Sequence, residues 1–289
     1  MGALKVMNPS TEEQHARQVI GSFVGLNHEE LPLLKKIPKT LQDLLLRTEE
    51  LSTDVDQWGN FEHSYAKNYQ EGHLWNPEVD LFAQEERTRL HNDGHPLTPL
   101  WPSGYTFALV LTHDVDHLDL MNTYPLLFRR LSRAMNSLDL TKKEKIRDVL
   151  KTAAQFILRK GKMVQNAEKT LEESLRIERK LGVKASYFFT VYPLETISRY
   201  DCLYSFSDKI VFRGKKTPLC TVLQQMQDDG FDVGLHGSYF SALDAALLIK
   251  QKKALGFLKN EIETTRQHWL HFRLPTTLQY QNKAGLKVD

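Results

Sequence analysis

The stretch FALVLTHDVDH, Phe107 to His117, runs an apolar segment straight into two carboxylates and two imidazoles. A continuous apolar run of this length suits a parallel strand buried on both faces. Charge at the mouth of a buried strand is costly unless it is paired, metal-bound or used in a reaction. His113, Asp114, Asp116 and His117 therefore mark a candidate site. Asp114 and Asp116 are two residues apart and share a face of an extended chain, whereas His113 points to the opposite face and reads as packing. Such a carboxylate pair can divide labour, one holding a cation and the other staying free as a base. Either aspartate alone reads equally well as a cap for the helix that follows, as does Asp119. Both together, beside two histidines, read as a site.

Working outward, the chain alternates strand and helix from Tyr105 onward. A long helix-rich segment, 121–181, is followed by VKASYFFTV (183–191), whose aromatic and β-branched residues read as a second strand. TVLQQMQDDG (221–230) reads as a helix ending at Gly230, FDVGLHG (231–237) as a third strand, 241–265 as a long helix and HWLHFRLP (268–275) as a fourth strand. AGLKVD (284–289) looks like the start of a fifth. This succession predicts an α/β fold built on a parallel sheet or barrel. Reactive groups in such folds sit at the carboxyl ends of the strands. Three endings agree: THDVDH, GLHGSYF and HFRLP. His236 reads equally as a ligand or as a hydrogen-bonded core histidine, and Arg273 equally as a partner for a free carboxylate or as a plain salt bridge. Gly237 lets backbone and ligand approach closely. His268 and His271 read as structural, and Tyr187, Phe188 and Phe189 as core.

Residues 1–100 read as a helical region and connector, and 101–289 as the α/β domain. The stretch 76–94 is an amphipathic helix with Pro77 and Glu78 in its first turn and Gly94 as its stop. PLTPLWPSG (96–104) is the connector. The chain has 289 residues, 38 basic against 36 acidic, for a net charge of +2. That balance gives no argument for a nucleic-acid partner. The segments 169–180 and RGKK (213–216) read as solvated surface. Cys202 and Cys220 have no zinc-like spacing and read as two free thiols of a reducing compartment. There is no signal-peptide pattern at the N-terminus and no window resembling a membrane span, so the expected location is cytoplasmic.

Taken together, Thr112-His113-Asp114-Val115-Asp116, His236-Gly237-Ser238-Tyr239-Phe240 and Arg273-Leu274-Pro275 resemble the three motifs of the polysaccharide deacetylase superfamily (carbohydrate esterase family 4 and relatives), with ASYFF as its second strand. More closely, they resemble a divergent THDVDH branch associated with bacterial surface-polysaccharide (lipopolysaccharide-type) genes. The resemblance covers about residues 60–289. It implies a TIM-like (β/α) barrel, here incomplete at the C-terminus, with a helical N-terminal extension. It also implies a divalent metal, zinc in the first instance, and a sugar or glycan substrate losing an N- or O-acetyl group. By position, Asp114 becomes the base, Asp116 and His236 metal ligands, and Arg273 the group that orients the base. The second aspartate falls one residue later than in the family motif. Phe240 stands where the family has its second histidine ligand, a gap that His117 or His271 could fill. The chain stops before the family's later motifs, so the expectation is either a fragment or an unusual closure.

Two other readings follow from the same residues. A catalytically silent carbohydrate-binding or assembly module would keep the barrel and lose the metal, as Phe240 suggests. A sugar hydrolase using Asp114 and Asp116 as acid and base is disfavoured, because two residues along one strand is close for an inverting pair.

Overall fold

The computed structural model of the protein describes residues 9–51, 55–118, 123–159, 161, 171–192 and 196–289; Asp119, one of the residues read as a helix cap, lies outside them. The chain divides into two compact units, Met1–Leu109 and Val110–Asp289.

The first unit holds α1 (Pro9–Val24), α2 (Lys39–Leu46), the single-turn α3 (Lys67–Gln70) and α4 (Glu78–Asn92). Ala16, Ile20 and Val24 recur at every fourth position of α1 and so share one face. With Ile37, Leu41, Ala83 and Leu90 they form the core of this unit. The stop expected at Gly94 is present, with φ of +82°.

The second unit runs β1 (Thr112–Val115), α5 (Thr123–Asn136), α6 (Lys142–Leu158), α7 (Leu171–Leu181), β2 (Ser186–Phe189), β3 (Lys209–Phe212), β4 (Lys215–Pro218), α8 (Leu219–Asp228), β5 (Asp232–Gly237), α9 (Ala245–Ala254), β6 (Thr265–Gln267) and α10 (Thr276–Lys283). The α/β class and the parallel sheet are as expected. The sheet has four parallel strands among the described residues, in the order β1-β2-β5-β6, rather than the ring of a closed barrel. The fifth segment contributes a single parallel bridge, Thr264 to Val288.

This sheet curls. Across a flat sheet three strand spacings separate β1 from β6 by roughly 14 Å. Yet Arg266 Nη1 of β6 donates to Thr112 Oγ1 of β1 at 3.0 Å and lies 3.4 Å from Asp114 Oδ1. Only a strongly curved sheet lets one side chain bridge its two outer strands. The alternation of side chains then sorts residues by face. Tyr187, Phe189, Val233 and Leu235 share the hydrophobic core with Leu175 of α7 and Val222, Leu223 and Met226 of α8. Asp114, Phe188, Gly234, His236 and Arg266 fall on the concave face. There Gly234 is required by close approach: a Cβ would lie 2.6 Å from the Phe188 ring and from Thr264 Oγ1.

Two strand expectations are corrected. FALVLT is not the first strand: Phe107, Leu109 and Val110 are 74, 73 and 79% exposed, and β1 begins only at Thr112. Its partner β2 has four residues, so the ladder ends one bond further out, where Ser186 N–H donates to Leu111 O. HWLHFRLP is not the fourth strand either. The strand is the preceding Thr265–Gln267, and the positive φ values of Trp269 (61°) and Leu270 (50°) turn the chain out of the sheet. The RGKK segment, read as plain surface, contains the turn of the β3–β4 hairpin, with Arg213 and Gly214 at φ 50° and 73°. Positive φ at both central residues fits a tight two-residue turn.

Candidate metal centre

The carboxyl ends of β1, β5 and β6 bring three acceptors together. Asp116 Oδ1 lies 3.2 Å from His236 Nε2 and 3.5 Å from His268 Nδ1, and the two ring nitrogens are 2.8 Å apart. His236 and His268 are both buried, and the Asp116 carboxylate is half-exposed.

The outer nitrogens fix the tautomers. His236 Nδ1 faces Arg266 O at 2.8 Å, and His268 Nε2 faces Tyr200 O at 2.6 Å. A carbonyl only accepts, so each outer nitrogen must carry the hydrogen, and each inner nitrogen of a neutral ring then presents a lone pair. Burial and the adjacent His236 ring push His268 down to about 4, so it stays neutral near pH 7. His236 holds the Asp116 carboxyl below its ordinary value. Two ring nitrogens and a carboxylate thus converge on one point. Such a cluster has the donor set of a metal site.

Among the described residues, Asp116, Cys202 and His268 form a group that could hold a metal, with ligand atoms all within 4.8 Å of one another. Cys202 Sγ lies 3.9 Å from Asp116 Oδ1, and burial pushes its thiol pKa up. Both cysteines are free, as expected.

Asp116 is anchored from behind. The fully buried Tyr204 hydroxyl donates to Val115 O at 2.6 Å and accepts from Thr190 N–H at 2.8 Å. Removing this hydroxyl strands two buried backbone groups. Tyr204→Phe is therefore expected to lower stability by about 1–3 kcal/mol in chemical denaturation. A variant with the wild-type midpoint would show that the hydroxyl does not hold this corner.

Of the residues read from the sequence, the structure brings Asp116 and His236 within 3.2 Å of each other. His117 is exposed and lines the cavity into which Asp116, Cys202 and His268 open. Asp114 sits on the same concave face, but the cation within 4 Å of it is Arg266. Arg273, read as its partner, lies in the loop before α10, where its N–H donates to Thr277 Oγ1 at 2.9 Å. His113 packs as expected, stacked on Tyr187 with its Nε2 2.6 Å from Glu178 Oε1. His271 Nδ1 faces Tyr239 O at 2.7 Å. At Gly237 a Cβ would lie 2.5 Å from Gln267 Oε1. The residues missed were His268 and Arg266, whose signal was their spacing of two at a strand end.

Comparison with protein-family models, curated proteins and solved structures finds no match. Among the described residues no helix is long and apolar enough to cross a membrane.

Proposed function

We propose that the protein is a metal-dependent hydrolase that removes an acetyl or related acyl group from a sugar, as in surface-polysaccharide biosynthesis. The observation that supports this reading is the convergence of the Asp116 carboxylate and the inner ring nitrogens of His236 and His268 on one point. Ligands held about 2.0–2.1 Å from a tetrahedral zinc lie roughly 3.3 Å from one another, close to the two carboxylate–imidazole separations and longer than the 2.8 Å between the two ring nitrogens. Two imidazoles and a carboxylate, with Cys202 beside them, also suit zinc by donor type. His268 would take the place that Phe240 leaves empty in the family-like motif.

A divalent ion held here would polarise an acyl carbonyl and lower the pKa of a bound water. The chain's own contribution is orientation and proton transfer. The backbone carbonyls of Arg266 and Tyr200 fix both ring tautomers and aim the inner lone pairs. Asp114, on the same face and steadied by Arg266 and through it by Thr112, is the group that takes the proton of the attacking water at its carboxylate.

Protein purified without chelator is expected to carry about one equivalent of zinc or a similar ion by elemental analysis, and to release acetate from an N- or O-acetylated sugar. Asp116→Ala and His236→Ala should lose both. A metal-free wild type that releases no acetate would instead favour the silent carbohydrate-binding module.

A further inference from the structure

Helices α5 and α6 both turn an apolar row to solvent. On α5, Tyr124, Phe128 and Met135 stand at i, i+4 and i+11 and are all exposed. Eleven residues make about three helical turns, so the three share one face. On α6, Ile146, Leu150 and Ile157 repeat this spacing and are 63, 65 and 73% exposed. No residue of α6 is buried. The two helices touch at Tyr124 and Phe156, whose ring centroids are 6.1 Å apart.

The charge beside the α6 row is of one sign. Lys143, Arg147 and Lys151 follow one another at intervals of four, and Lys143 and Arg147 stand three residues before Ile146 and Leu150, so a basic row flanks the apolar one. The charged residues that α6 exposes are all basic. Its two acidic residues are drawn away. Glu144 accepts the Thr141 N–H at the start of the helix and lies 3.4 Å from Arg199. Asp148 lies 3.7 Å from Arg147 and lines a small cavity with Arg130 and Arg133. Residues 142–159 hold six basic residues against these two, a local net charge of +4 in a chain whose total is +2. On α5, Arg129 and Arg133 point inward, to Asp208 and to the Asp201 carbonyl, so the outward charge belongs to α6.

We infer that the α5–α6 face docks on an anionic lipid membrane. Helix α6 lies in the plane of the surface, with Ile146, Leu150 and Ile157 at the headgroup boundary and the basic row against the lipid phosphates. An apolar row flanked by Lys and Arg is the pattern of an interfacial helix, which lies on a bilayer without crossing it. The long basic side chains reach headgroups while their stems cover apolar surface. Two other occupants fit less well. A nucleic acid would engage the basic row and leave the apolar one in water. A second copy of this chain would bring two basic rows together across a shared face. The inference does not rest on the metal-centre reading.

The test is co-sedimentation of the full chain with phosphatidylcholine vesicles containing about one-third phosphatidylserine, and with phosphatidylcholine alone. Wild type should pellet with the anionic vesicles, far less with the neutral ones, and be released by high salt. The triple variant Lys143→Gln, Arg147→Gln, Lys151→Gln should bind about 100-fold more weakly, at some fivefold per surface cation. The triple variant Ile146→Ser, Leu150→Ser, Ile157→Ser should lose about tenfold or more while melting like wild type, because these side chains are exposed in the folded chain. Asp116→Ala should pellet as wild type does, which separates this test from that of the hydrolase reading. Wild type that binds neither vesicle or both equally, or anionic binding that either triple variant retains in full, would overturn the inference. A dimer that the serine variant dissociates, without vesicle binding, would overturn it too and assign the face to a second copy.

Discussion

His268→Ala is expected to empty the centre of metal. The ring supplies one of the two imidazole nitrogens that meet at the convergence point. Losing an outer hydrogen-bond partner of a ligand already costs roughly 10–100-fold in metal affinity, so losing the ligand should exceed about 100-fold. His271→Ala is the matched control. It lies three residues on in the same loop, but its Nδ1 is engaged with Tyr239 O, and the variant should keep the metal. Melting adds a second readout. A bound ion stabilises only the folded chain, so chelator should lower the melting temperature of wild type and leave that of His268→Ala unchanged. Full metal content in His268→Ala would mean that the ion is held without this ring, and a wild-type melt indifferent to chelator would mean that no ion occupies the centre.

One displaced strand accounts for most of what sequence reading missed at this site. HWLHF is aromatic and apolar and reads as strand by propensity, whereas Thr265-Arg266-Gln267 is polar. In the fold it is the polar triplet that pairs with β5. Thr265 and Gln267 are buried: Thr265 Oγ1 donates to Leu235 O and Gln267 Oε1 accepts from Ser241 Oγ, while Gln267 Nε2 has no hydrogen-bond partner among the described residues. A pattern of apolar burial cannot show this. With the strand placed three residues late, His268 fell at its start and Arg273 near its end. Placed correctly, Arg266 and His268 occupy the strand end, on the face shared with Asp114 and Asp116. The same reasoning explains what was legible. Tyr187, Phe189, Val233 and Leu235 bury apolar side chains in register, and those two strands were read within a few residues of their observed bounds. Asp116 and His236 followed because both stand directly at the end of an apolar run. The arginines of the cavity into which Asp116 opens were invisible in sequence, because α5, the end of α6 and the loop after β2 converge only in three dimensions.

The largest loss of stability outside the metal centre is expected for Asp208→Ala. Asp208 is buried, and its carboxylate takes both nitrogens of the Arg129 fork, with Arg129 Nη2 at 2.8 Å from Oδ1 and Nη1 against Oδ2. Oδ2 also accepts the Ser205 N–H at 2.7 Å, and the Asp208 carbonyl accepts the Leu219 N–H at 2.8 Å, so one residue ties α5, the loop before β3 and the start of α8 together. The Arg129 side chain is only 15% exposed. Truncating Asp208 would leave that guanidinium poorly solvated, with the Leu203 carbonyl as its remaining acceptor here. Breaking one partner of such a pair costs about 3–5 kcal/mol, whereas replacing both by apolar residues of similar volume is often neutral. Asp208→Ala should therefore lose about 3–5 kcal/mol, and Arg129→Met with Asp208→Leu should regain much of it. Hydrogen exchange of the β2 and β5 amides reads the opening free energy of this unit directly. If the single variant loses under about 1 kcal/mol, or the double variant loses as much as the single, the pair is not what fastens α5 to the loop before β3.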